Sequence, residues 1–93
     1  MTASITGMKN KLGIDSSNTD LDTQLTDFLN IATEITSNDI ADLPSTISQT
    51  LKDHLIEFYA CHLYSLTYKP EEAENFLNVY NTIYRKSYGT LNI

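Results

Sequence analysis

LKDHLIEFYACHLYSLTYKP, residues 51–70, decides the fold. Leu51, Leu55, Phe58 and His62, with Ile47 just upstream, recur at helical spacing, and Ile56, Tyr59, Leu63 and Leu66 form a second stripe beside the first. A helix apolar over most of its circumference belongs at the centre of a bundle, or between its own bundle and a neighbouring subunit. Upstream, Pro44 suits a first helical position, where a missing N–H costs nothing, and Pro70 ends the segment. Beyond it, Ala73, Phe76, Leu77, Tyr80, Ile83 and Tyr84 mark another helix. Glu71, Glu72 and Glu74 lie at its positive end and Arg85 and Lys86 at its negative end. The tight connection between Tyr68 and Glu71 makes these two long helices an antiparallel pair.

Toward the N-terminus, Leu21, Leu25, Phe28, Ala32 and Ile35 form one apolar stripe of an earlier helix. Thr19 is its expected cap, with Asp20 and Asp22 in the first turn, and Thr36 to Leu43 reads as a connection rich in turn residues. Ile5, Met8 and Leu12 mark a short first helix stopped by Gly13. No strand pattern or internal repeat occurs. The expected fold is all-α: one domain over residues 1–93, a small bundle of about four helices with a short tail at 88–93. Leu21, Leu25, Phe28, Ala32, Leu51, Leu55, Phe58, Phe76 and Leu77 are its expected core.

Ninety-three residues suit one domain, and 41% apolar residues with two Pro and three Gly argue against disorder. The formal charge of −6 disfavours gripping of nucleic-acid phosphates. Residues 1–14 carry Lys9 and Lys11 and no acid; residues 15–57 carry nine acids against Lys52 alone; the remainder balances. The longest near-apolar stretch, Leu55 to Leu66, is interrupted by Glu57 and His62, so no membrane span is expected. Met1 to Gly13 lacks the ordered features of a secretory signal. The single Cys61 excludes an internal disulfide.

Catalytic and metal-binding patterns are sparse. His54, Glu57 and Cys61 share a helix face at i, i+3 and i+7, but further ligands for zinc are missing, and a buried thiol beside a partly exposed His is the plainer reading. Cys61 and His62 point about 100° apart on a helix and cannot act as nucleophile and base. Asp15 to Asp20 resembles half a calcium loop but has Asp20 where Gly is required and Thr26 where Glu is required. The expectation is a non-enzymatic protein without cofactor or metal. Tyr80, Tyr84 and Tyr88 repeat every four residues and, with Leu91 and Ile93, form the expected protein interface; closure of the core by Tyr80 and Tyr84 is the alternative.

The run Met8-Lys-Asn-Lys-Leu-Gly-Ile-Asp15, then Asp20-x-x-x-x-Leu25-x-x-x-Leu29-x-x-Ala32, then Pro44 and a helix containing His62-Leu-Tyr64, resembles the head-tail connector proteins of tailed bacteriophages, the head-completion adaptors. The resemblance covers roughly residues 5–68. It implies a structural virion protein at the head-tail neck, made in the host bacterial cytoplasm. It implies a homo-oligomeric ring of about a dozen copies on the portal protein, docking a stopper or tail-completion protein while DNA passes without specific binding. The family's C-terminal segment, which commonly engages the portal, maps onto Tyr88 to Ile93. Acidic walls would let the duplex slide. The other class of function is a small acidic helical module that binds and regulates a host or phage protein.

Overall fold

The computed structural model describes residues 3–89. Four helices follow in order, α1 (Ile5–Leu12), α2 (Asp22–Ala41), α3 (Gln49–Tyr68) and α4 (Pro70–Gly89), with no strand among the described residues. The bundle is all-α and slender, 44 × 28 × 20 Å.

Local chemistry sets most boundaries. Ser4 caps α1 by accepting from Gly7 N–H at 3.1 Å, and Gly13, at φ 75°, ends it in the left-handed region while Ile14 N–H donates back to the Lys9 carbonyl. Ser48 caps α3 by accepting from Leu51 N–H. Lys69 alone joins α3 to α4, and Pro70 opens α4. The chain therefore reverses: His62 Nδ1 donates to the Ala73 carbonyl at 2.8 Å, the Tyr59 and Tyr80 rings lie 5.2 Å apart, and Leu55 and Phe58 pack with Ile83 and Tyr84. Progress down one helix against progress up the other makes the pair antiparallel, as expected.

Three boundary expectations are corrected. Thr19 does not cap α2; Leu21 occupies the cap position without a side-chain bond, Asp20 stays in the turn, and only Asp22 lies in the first turn. The helix does not end near Ile35 but continues to Ala41. Thr36 and Ser37 satisfy their hydroxyls on the carbonyls of Ala32 and Glu34, which removes their competition with the helix backbone. Pro44 does not start α3: Pro44 to Ile47 forms a turn closed by Ile47 N–H on the Pro44 carbonyl, and Gln49 is the first helical residue. α2 is thus as long as the antiparallel pair α3 and α4, each of 20 residues.

α3 is the axis. α1, α2 and α4 all pack on it, α1 also meets α2, and the α4 backbone is apposed to α3 alone among the described helices. One cluster, between α1, α2 and α3, buries Met8, Leu25, Ala32, Ala60, Cys61 and Tyr64, with Leu21, Phe28 and Phe76 half-buried against it. The other buries Leu43, Leu55 and Tyr80, with Ile40, Ile47 and Phe58 against it. Of the expected core, Leu25, Ala32 and Leu55 are fully buried. Leu51 and Leu77 are half-buried and join neither cluster, and Ile35 points to solvent, 51% exposed.

Replacing Leu55 with Ala is expected to cost roughly 2–5 kcal/mol, since the side chain is completely enclosed. Urea denaturation measures it, and a loss below this range would mean that the second cluster is loosely packed.

Candidate functional site

Two places concentrate functional groups: a polar knot where α1 crosses α3, and an aromatic face shared by α2, α3 and α4.

At the knot, Glu57 is 5% exposed although it carries a carboxylate. Lys11 Nζ donates to its Oε1 at 2.9 Å and Ser4 N–H to its Oε2 at 3.0 Å, so both oxygens are satisfied. Lys11 Nζ also lies 2.9 Å from His54 Nδ1; an ammonium only donates, so Nδ1 accepts and the ring proton sits on Nε2. The Phe58 ring lies 4.9 Å from the same ammonium. A cleft of about 250 Å³ opens beside the knot, lined by Thr6, Asn10, Thr50 and Asp53 among others. Gly7 faces Glu57 so closely that a Cβ there would overlap the carboxylate.

The His54, Glu57 and Cys61 face is thereby divided among other partners. His54 and Glu57 share Lys11, while Cys61 Sγ turns to the Met8 carbonyl at 3.7 Å. No group of His, Cys, Asp or Glu able to hold a metal occurs among the described residues. Burial pushes the Cys61 thiol up to about 12, so it is not a thiolate nucleophile near neutrality. His62, adjacent in sequence, points to α4 instead. Asp15 to Asp20 is a turn in which Asp15 accepts from Ser17 and Asn18 from Asp20; the Ser17 bond holds the Asp15 carboxyl below its usual range.

Lys9, 4% exposed, is a connection that the sequence did not reveal. Its ammonium meets the Asn18 carbonyl and the Asp22 carboxylate, each at 2.7 Å, and the Ser16 carbonyl at 3.4 Å. Two hydrogen-bonded carbonyls and the ion pair with Asp22 tie the turn and the start of α2 to α1. Both Lys9 and Lys11 are thus engaged internally, and residues 3–14 present no basic patch.

On the aromatic face, Tyr80, Tyr84 and Tyr88 stack at 6.1 and 6.0 Å. Tyr80 is corrected from interface to core: it is 4% exposed, and its hydroxyl reaches Asp39 of α2 at 3.5 Å. Tyr84 is half-buried and Tyr88 is 49% exposed. The Tyr80–Asp39 contact places the C-terminal end of α2 beside α4, and burial and then the charges of Asp39 and Asp42 raise the Tyr84 phenol above its ordinary value. Leu91 and Ile93 lie outside the described residues.

Around the contact of Tyr59, Tyr80 and Asp39, three stripes meet. Ile31, Ile35 and Asp39 recur every four residues along α2, while Tyr59, Leu63 and Leu66 along α3 and Leu77, Tyr80 and Tyr84 along α4 recur at steps of three and four. From that knot the stripes run toward the C-terminal end of α3 as a trough between α2 and α4, floored by Leu63 and Leu66. Ile31, Ile35 and Leu66 are each about half exposed there, and at its end Tyr68 stands edge-on to Phe28. Ile31 and Ile35 were not recognisable as surface, because their spacing matches that of the core positions beside them.

Comparison with protein-family models, curated proteins and solved structures returns no match. No helix of the described residues is long and apolar enough to cross a membrane.

Two predictions follow from the knot and its neighbour. Helix propensity alone would make Gly7→Ala stabilising by about 1 kcal/mol. Overlap with Glu57 is expected to reverse the sign, to a loss of roughly 1–3 kcal/mol in urea denaturation. The folded state also holds the Cys61 proton more tightly than the unfolded chain, whose thiol titrates near 9.0. Stability is therefore full below that value and declines as pH rises through the window up to about 12, with Tyr80, also raised by burial, adding to the fall from 10.0 upward. Urea midpoints measured across this range should fall, and less steeply in Cys61→Ala.

Proposed function

We propose that this chain is a structural, non-enzymatic adaptor subunit of a tailed-bacteriophage head-tail connector, one copy of a ring assembled on the portal and docked to a stopper or tail-completion protein. The observation that carries the reading is the apolar trough with its exposed tyrosine edge, left open on a small acidic bundle in which Lys9, Lys11, Glu57, Cys61 and His62 are engaged in structural contacts. Exposed apolar surface of this kind suits a partner better than a substrate, and the Cys61 thiol and the His62 ring are turned into the fold.

Two features support the phage assignment. α1 closes on Leu12-Gly13-Ile14-Asp15, followed by an acidic turn, a helix burying Leu25 and Ala32, and a long central helix, in the order of the resemblance. The negative balance of −6 suits a channel component past which DNA moves without sticking.

Immunogold labelling of purified tailed particles made by the protein's source tests this directly. Label at the neck is the expected result. Particles free of the protein would overturn the virion assignment in favour of an acidic binding module acting on a host or phage protein.

A further inference from the structure

α3 needs cover on every side, and its neighbours supply it unevenly. α1 and α2 enclose the side of Cys61, Ala60 and Tyr64, and α4 encloses the side of Leu55 and His62. The remaining side, along Leu63 and Leu66, is flanked by α2 and α4, whose backbones do not approach each other. Two helices lying apart on a third leave the position that a further helix takes in a four-helix arrangement. From Ile31 to Asp39 the α2 edge runs about 12 Å, roughly two turns of an occupant.

The rim specifies the occupant's charge. Asp27 and Glu34 stand one turn either side of Ile31, Asp39 and Asp42 follow Ile35, and Glu74 precedes Leu77 by three residues. α2 contains no Lys or Arg, and its last turn ends in acids where the helix dipole favours cations. That local preference is overridden at the edge where the apolar residues are exposed. Of the bases on these helices, Lys69 pairs with Glu72, and Arg85 and Lys86 follow Tyr84 at the end of α4 nearer Asp39, leaving Asp27, Glu34 and Glu74 as the rim acids of the other end.

We propose that the trough between α2 and α4 receives an amphipathic helix of a partner protein, apolar along one stripe and flanked by Lys or Arg. The proposal rests on reading the chain as a binding subunit and names the partner chemistry of that surface. It is tested on the free chain, apart from whether the protein occurs in virions. Apolar residues of the occupant at i, i+3, i+4 and i+7 cover Ile31, Ile35, Leu66 and Leu77, while its cations meet Asp27, Glu34 and Glu74. A second copy of this chain is disfavoured, because its net charge repels the same rim.

The probe is a fluorescent peptide of about 14 residues, roughly four turns, with Leu on one stripe and Lys elsewhere, set against a twin with Glu at every Lys. Anisotropy titration should show the Lys peptide binding at least about tenfold more tightly than its twin, with affinity falling as salt rises. Ile35→Glu and Leu66→Glu lie on exposed positions, and circular dichroism confirms that they fold. Each should weaken binding by about tenfold or more although each adds negative charge, while Asn78→Glu, on the outer side of α4, should not. Equal binding of the two peptides, or undiminished binding by both trough variants, would overturn the proposal. So would concentration-dependent self-association of the chain in sedimentation that Ile35→Glu abolishes, which would make a second copy the occupant.

Discussion

The burial of α3 governs everything else in this protein. A helix with apolar and small residues distributed around its circumference gains from burial on every side, at about 25 cal/mol per Å² of apolar surface. Only two further long helices and one short one are available to cover it. α4 follows through a single residue and is held beside the half of α3 that ends in Leu55 and His62. α2 must then cross the opposite side and α1 must fill the angle between α2 and α3, where Met8 meets Cys61. The trough is the residue of that geometry: three neighbours arranged around one helix leave a fourth side partly open.

Charge is used inside this bundle to fix positions that apolar contact alone would leave loose. α1 is 8 residues long, too short to hold its place by propensity. Lys9 anchors it to the turn and to Asp22, and Lys11 anchors it to Glu57 across the knot. Removing one member of such a pair leaves an uncompensated buried charge, which costs far more than the pair contributes. The constraint is directional, because Ser4 N–H and Lys11 Nζ must reach the two oxygens of one carboxylate together. Gly7 permits this approach by having no Cβ, which explains a glycine in the middle of a short helix where propensity argues against it.

How much of this was legible in the sequence follows from the range of the forces involved. Gly13 and Pro70 act through their own backbones, and both the end of α1 and the reversal into α4 were readable. The central place of α3 was readable from its two stripes. Where the outcome depended on distant partners, local reasoning failed. Thr36 resembled a turn residue, yet it is buried, with its hydroxyl on the Ala32 carbonyl. Tyr80 resembled a surface ladder, yet Leu43 and Leu55, far away in sequence, enclose it. Ile35 matched the core spacing, but a stripe stepped by 4, 3, 4 and 3 residues drifts around a helix of 3.6 residues per turn, and by Ile35 it has rotated away from α3. Lys9 and Asp22, 13 positions apart, carried no signal that they would meet.

The acidity and the trough belong to one design problem. An open apolar surface invites association with any similar surface, copies of the same chain included. A net charge of −6 concentrated toward α2 opposes such encounters at long range, while short-range apolar attraction stays available to a partner that brings cations with it. For the proposed connector this ordering would matter, because subunits that met each other in solution before meeting a docking partner would use up the surface that receives it. Acids at the end of α2 weaken that helix locally through its dipole. Under the proposed docking, the acids of the rim would decide which partner the exposed isoleucines accept.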